Sequence, residues 1–381
     1  MKKNKRQSTV ADQENGDVGN TQDETDELLD ATTGLVLPLL HALDALQQAG
    51  RLMHPPTLAE VVEAIAQYQA PLEAGRQAFT AVQWPEHLET FTLHANMATT
   101  LALRAFDGFA QAMEKPEPAM AAYKAMGLAT QAYAAAYPLA TMLPPVSRFY
   151  LEPDVRDDAA LQKKLMDVDP QTPNVGVMHA ENASEQRGGF SMYVPEYYQG
   201  ETLPLVVALH GGSGHGRQFL WSWLRAVRSN PCILIAPTSS ERTWSLMNPA
   251  TDSQRLHDLV AYAGEHWSID PQRILLTGMS DGGTFSYVSG LQSDSPFTHL
   301  APCSASFHPM LLEVVDSTRL QDLPIYLMHG ALDWMFPVSV AQEANAALTS
   351  AGAKVEYREI ANLSHTYPQE ENPRILNWLL N

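Results

Sequence analysis

Arg273-Ile274-Leu275-Leu276-Thr277-Gly278-Met279-Ser280-Asp281-Gly282-Gly283 is the stretch from which the fold is read. Ile274 to Leu276 form a short apolar run, the pattern of a strand buried on both faces. Gly278-Met279-Ser280-Asp281-Gly282 follows at once, and Thr284 to Val288 reads as the start of a helix. Strand, Gly-x-Ser-x-Gly and helix in that order describe a sharp turn that lifts a serine hydroxyl clear of a sheet. Sterics ask for these residue types. The serine is held in a strained backbone conformation, and its neighbours two positions away must be small where helix and strand nearly touch. The first N–H groups of the new helix point to where an oxyanion would form. Ser280 is the candidate nucleophile.

Working outward, Val175 to His179 and Phe190 to Val194 read as two short strands, an expected antiparallel pair. Leu205 to Leu209 forms a buried strand running into His210-Gly211-Gly212-Ser213-Gly214, and Cys232 to Ala236 forms another. A helix is expected from Asp252 to His266, and further apolar runs lie at Leu300–Ala305, Ile325–Met328 and Val355–Ile360. Strands alternating with helices predict an α/β fold with a doubly wound, mostly parallel sheet. The Gly212-Ser213-Gly214 loop is no dinucleotide fingerprint, because Arg217 holds the third glycine position. A glycine loop after the strand two before the serine turn suits an oxyanion donor. The backbone N–H groups of Gly212 and Asp281 are assigned to that hole.

A serine at neutral pH needs a histidine base and an orienting carboxylate. Asp333 follows the strand Pro324 to His329, and His365 follows the last strand, giving the chain order Ser280, Asp333, His365. Asp294 and Asp316 sit less suitably. His210 and His329 end buried strands and are expected to steady loops, while His308 lies near the rim. His210-Gly211-Gly212, Gly278-Met279-Ser280-Asp281-Gly282-Gly283, His329-Gly330-x-x-Asp333 and Ser364-His365 together resemble the α/β-hydrolase superfamily. Within it they are most similar to the phospholipase/carboxylesterase serine esterases, with polyester depolymerase and feruloyl esterase-like relatives nearby. The resemblance spans about Val175 to Asn381. It implies hydrolysis of a small-molecule ester or acyl substrate through an acyl-enzyme, with no metal and no organic cofactor. Trp244, Met279, Phe307, Phe336 and Tyr367 are expected around the substrate, with Trp221, Met247 and Trp334 in loops nearby. A peptidase or amidase of the same fold and a non-catalytic binding protein on the same scaffold are the competing classes.

The remaining half reads differently. Of 381 residues, 45% are hydrophobic and 18% charged, as in an ordinary globular protein, and the net charge of −19 speaks against a nucleic-acid partner. Eight acidic residues and no basic one lie between Ala11 and Asp30, so residues 1–30 are expected to be a disordered acidic tail. Residues 31–140 carry helical periodicity and predict an antiparallel bundle of four helices. Thr57 and Glu60 have capping-box spacing. Recurrent prolines make 141–172 a linker, leaving 173–381 as the catalytic domain. The apolar run Gly34 to Leu40 is short and holds Pro38, so no membrane span is expected. Cys232 and Cys303 read as buried thiols, no apolar run follows the basic residues near the start, and a cytoplasmic location is expected. The bundle is expected to pack on the catalytic half, with a subunit contact in a homo-oligomer as the alternative.

Overall fold

The computed structural model describes residues 11–169 and 171–381, with side chains from residue 24 onward. Helix α1, Ala11–Leu52, is followed by α2, Leu58–Ala66, α3, Gln69–Ala81, α4, Glu89–Ala112, and α5, Pro118–Ala136. The expected acidic tail lies outside the described residues up to residue 10. From Ala11 it is instead the front of α1. No proline precedes Pro38 there to interrupt the helix. The second expected helix is two, α2 and α3, because Pro71 has no N–H to give the carbonyl of Gln67. The capping box at Thr57 does not form; a 3₁₀ turn, Pro55–Thr57, leads into α2 without a side-chain cap.

Pro38 does not end α1. It leaves the Gly34 carbonyl without its usual helical donor, and α3 crosses at that spot. A Cβ on Gly75 would stand 2.4 Å from the Gly34 oxygen, so only glycine permits the approach. The continuous helix changes one expectation. Its part Glu24–Leu52 is long and apolar enough to cross a bilayer, which the run Gly34 to Leu40 alone did not suggest. In this fold Leu35, Leu39, Leu43 and Leu46 on that part are buried, and α1 packs on α3, α4 and α5.

The second half holds strands β1, Gly176–Ala180, β2, Phe190–Val194, β3, Leu203–Leu209, β4, Ile233–Pro237, β5, Ile269–Met279, β6, His299–Cys303, β7, Pro324–Gly330, and β8, Lys354–Ile360. They form one eight-stranded sheet in the order β1-β2-β4-β3-β5-β6-β7-β8. β2 runs antiparallel to both its neighbours, β1 and β4, and the other neighbouring pairs are parallel, as the alternation of strand and helix predicts. The helices between them are α8, Gly216–Phe219, α9, Leu224–Ser229, α10, Ala250–His266, α11, Asp281–Gly290, α12, Ser317–Leu320, α13, Val338–Ser350, and α14, Asn372–Leu380.

The period of two along each strand sorts the core into two faces. Leu205, Val207 and Leu209 pack with Leu256 of α10 and Leu348 of α13. Val206 and Ala208 pack with Trp223, Leu224 and Leu376, and that core continues without a break into the bundle. Residues 141–172 are therefore no bare spacer. They contain α6, Pro144–Phe149, and α7, Ala159–Met166, and bury Val146, Phe149, Tyr150 and Leu151. Pro144 and Pro145 stand where a helix tolerates them, in the first turn of α6.

A buried polar knot ties the two halves. Glu196 Oε1 accepts from Arg228 Nε at 2.8 Å and from the Tyr137 hydroxyl at 2.6 Å, and Oε2 accepts from Tyr193 at 2.6 Å. Arg228 also donates to the Ser147 carbonyl at 2.8 Å. Burial pushes the Glu196 carboxyl up, but Arg228 and the two hydroxyls outweigh it and hold the group below the ordinary carboxylate range. Its contribution is thus present above the ordinary pKa and lost as pH falls through the depressed one. Glu196→Gln leaves the Arg228 charge buried and unpaired, so unfolding in urea at pH 7 is expected to lose about 3–5 kcal/mol. The deficit should shrink in acid. An unchanged midpoint would contradict this account of the knot.

Candidate active site

β5 ends at Met279 and α11 begins at Asp281, so Ser280 alone makes the turn. Its φ of 56° and ψ of −119° fall where a residue with a Cβ is strained. The surroundings over-determine that conformation. The Ser280 N–H donates to the Cys303 carbonyl at 2.9 Å, and its carbonyl accepts from the Thr284 N–H at 2.8 Å. A Cβ on Gly278 would lie 2.5 Å from the Gly282 oxygen, and one on Gly282 would lie 2.4 Å from the Leu209 oxygen. The start of α11 thus rests on the end of β3, which is why the pattern needs both glycines.

Ser280, His365 and Asp333 meet in one hydrogen-bonded line. His365 Nε2 lies 3.0 Å from Ser280 Oγ, and His365 Nδ1 lies 2.8 Å from Asp333 Oδ2. Asp333 Oδ1 accepts the backbone N–H groups of Met335 and Phe336, each at 2.9 Å. Burial pushes the Asp333 carboxyl up, but the His365 hydrogen bond and these two N–H groups outweigh it and keep it below its ordinary range. The carboxylate is ionised at neutral pH and fixed in orientation.

The three rival histidines have structural partners. His210 Nδ1 donates to the Gly211 carbonyl at 2.7 Å, and Nε2 accepts from the Ser239 N–H at 3.1 Å. Burial pushes its pKa down to about 3, so the ring stays neutral. His329 is fully buried, donates from Nε2 to the Phe336 carbonyl at 2.9 Å, and so steadies the loop holding Asp333. His308 is exposed and caps the Met310 N–H at 3.2 Å.

Gly212 lies beside the turn. A Cβ there would stand 2.6 Å from Asp281 Oδ2, and one on neighbouring Gly211 would stand 3.5 Å from the Ser280 Cβ. Asp281 opens α11, so its N–H has no preceding helical turn to serve. Thr243, which the sequence did not single out, donates from Oγ1 to Asp281 Oδ2 at 2.6 Å and turns that carboxylate aside.

The residues expected around the substrate divide. The Phe336 ring meets the His365 imidazole edge-on at 5.4 Å between centroids, and Met279 is half-buried within the turn. Trp244 is buried, donates to the His210 carbonyl at 2.8 Å and stacks on Phe285, so it supports the glycine loop from beneath. Phe307 packs on Tyr287 in the core. Tyr367 is buried against Phe219, with its hydroxyl donating to Asn372 Oδ1 at 2.8 Å. Trp221 joins the aromatic contacts with Tyr133 and Tyr137 of the bundle, whereas Met247 and Trp334 are exposed.

Residues 240–380 match the family described as phospholipase/carboxylesterase, a stretch that holds the motifs at Ser280, Asp333 and His365 but not His210-Gly211-Gly212. The bifunctional acetylxylan esterase/xylanase XynS20E of Neocallimastix patriciarum is 25% identical over 175 residues. That match covers 45% of this chain and 25% of the other protein, so the chain spans about a quarter of the length of this curated relative. Among solved structures, a thermostable esterase is similar over 54% of this chain and 62% of its own, at 21% identity and a TM-score of 0.44. Esterase PE8 is similar over 51% of this chain and 97% of its own, at 21% identity and a TM-score of 0.41. An acylaminoacyl peptidase in complex with Z-Gly-Gly-Phe-chloromethyl ketone is similar over 54% of this chain and 41% of its own, at 16% identity and a TM-score of 0.43.

The geometry around Asp333 makes a specific prediction. In Asp333→Asn the amide oxygen must stay on the two backbone N–H groups of Met335 and Phe336, which turns its NH₂ toward His365. Nδ1 must then accept, Nε2 carries the proton, and the base is in the wrong tautomer. Ester turnover should fall about 10⁴-fold in kcat with KM little changed. A loss carried mainly in KM would contradict the assignment.

Proposed function

We propose, from the match of residues 240–380 to the phospholipase/carboxylesterase family, that this chain is a serine hydrolase that cleaves carboxylic esters or thioesters through an acyl-enzyme on Ser280. The observation that carries the reading is the line Asp333–His365–Ser280, with both hydrogen bonds at 3.0 Å or less. Charge develops in a fixed order along that line. His365 Nε2 takes the Ser280 proton as Oγ attacks the acyl carbon, and Asp333 stabilises the imidazolium that results. The tetrahedral oxyanion is received by the N–H groups of Gly212 and Asp281, where losing one such donor typically costs about 3 kcal/mol. Collapse breaks the bond to the alcohol or thiol, which leaves with the proton from Nε2. Water then repeats the sequence and releases the acid.

The substrate is a small molecule with an acyl group whose carbonyl can reach Ser280, which is buried to 8% exposure. Phe336 and the exposed Trp334 beside Asp333 offer it an apolar flank.

Ser280→Ala is expected to abolish hydrolysis of p-nitrophenyl esters and labelling by a fluorophosphonate, with the thermal midpoint unchanged. Turnover should drop to the residue of about 10³–10⁴ over water that oxyanion donors and binding supply alone. Full labelling of the variant would mean another nucleophile. Faster cleavage of aminoacyl nitroanilides than of esters by the intact chain would move the activity to the peptidases.

A further inference from the structure

We propose that the helical half clamps the His365 loop, with Arg51, His54 and Tyr123 as positioning residues for the reaction at Ser280. This inference rests on the esterase reading of that site.

His365 stands in the loop between β8 and α14, and loops are the most mobile parts of a fold. The imidazole must nevertheless keep two hydrogen bonds at once, to Ser280 and Asp333. The bundle grips this loop along its length. Tyr123 of α5 donates its hydroxyl to the backbone carbonyl of His365 itself. Arg51, at the end of α1, donates from Nη1 to the Asn362 carbonyl at 3.1 Å and from Nη2 to Asn362 Oδ1 at 2.9 Å. Its Nε donates to Glu370 Oε1 at 2.5 Å, and its own carbonyl accepts from Thr366 Oγ1 at 3.2 Å. His54 Nδ1 lies 3.1 Å from Ser364 Oγ. The contacts therefore fall before, on and after the histidine.

The same loop is also tied to the acid. The Leu332 N–H donates to the Leu363 carbonyl at 2.9 Å, and a Cβ on Gly330 would stand 2.3 Å from the Leu363 oxygen. Holding residues 362–366 thus sets the separation of base and carboxylate together. The chemistry of the gripping groups suits a fixed clamp. A guanidinium fork fixes direction as well as distance, which a lysine does not. Burial, and then the Asp333 charge, pushes the Tyr123 phenol up, so its hydroxyl stays a donor across the working pH range. A catalytic group displaced by about 1 Å loses about 10²-fold in rate, so a partial loosening is worth about tenfold.

The test uses the full chain with Tyr123→Phe, Arg51→Lys and the pair combined, beside Glu73→Gln as control, a change on α3 among Arg76 and Gln77. With a p-nitrophenyl ester each single variant should lose about tenfold in kcat with KM within about twofold, and phosphonate labelling should slow in parallel. The low-field proton NMR signal of the His365 Nδ1–H on Asp333 should broaden in the variants and stay sharp in the control. Thermal midpoints keep a folding defect apart from a positioning one, and Arg51→Lys decides if Tyr123→Phe does not fold. Folded variants with wild-type kcat, labelling and NMR signal overturn the clamp while leaving Ser280 as nucleophile. A loss confined to KM also overturns it. If the wild type is not labelled at Ser280, the esterase reading fails, and the NMR signal still decides whether the bundle holds the imidazole.

Discussion

The strained turn at Ser280 is the constraint from which the rest of the sheet half follows. A side chain at φ 56° persists only where neighbours forbid anything else. Here the backbone of β3 lies against Gly282, the start of α11 against Gly278, and the end of β6 holds the Ser280 N–H. Three parallel strands must therefore be in register before the hydroxyl is presented. The register exists, with Leu209 opposite Gly278 and Met279 opposite Cys303. The oxyanion donors proposed above would come with the same construction, because the glycine loop leaves β3 and the helix leaves Ser280.

The second tier is the joining of the two halves. A single apolar core runs from α1 through Trp223 to one face of the sheet, and Glu196 with Arg228 pins it beneath. An interface that continuous favours one rigid arrangement over a hinged pair. It gives the helices a route to the chemistry, since the end of α1 and the middle of α5 both arrive at the loop carrying His365. A bundle without a chemical motif of its own thereby contacts the loop that carries His365.

The sequence was legible where one physical rule dominates. Buried parallel strands have to be apolar on both faces, so β3, β4, β6 and β7 stand out as short runs, and the serine turn stands out because sterics demand its glycines. Asp333 and His365 follow from the order of strand ends. Legibility stops where contacts join distant segments through ordinary residues. Nothing in Arg51 or Tyr123 announces a partner more than two hundred residues away. Aromatic residues near the site were ambiguous for a related reason: Trp244 and Phe307 look the same in a sequence whether they line a pocket or fill a core, and the structure commits both to packing. In the bundle, Pro38 looked like an interruption, yet tertiary packing carries α1 through it while Pro71 does break the chain into α2 and α3.

On the proposed mechanism, turnover passes through a covalent acyl group on Ser280. Mixing the intact chain with p-nitrophenyl acetate, quenching in acid within the first turnover and weighing the protein tests it most directly. The account predicts a burst of nitrophenolate matched by one added acetyl group on the peptide that contains Ser280. Turnover with no burst and no adduct, or an adduct on a different residue, would contradict it.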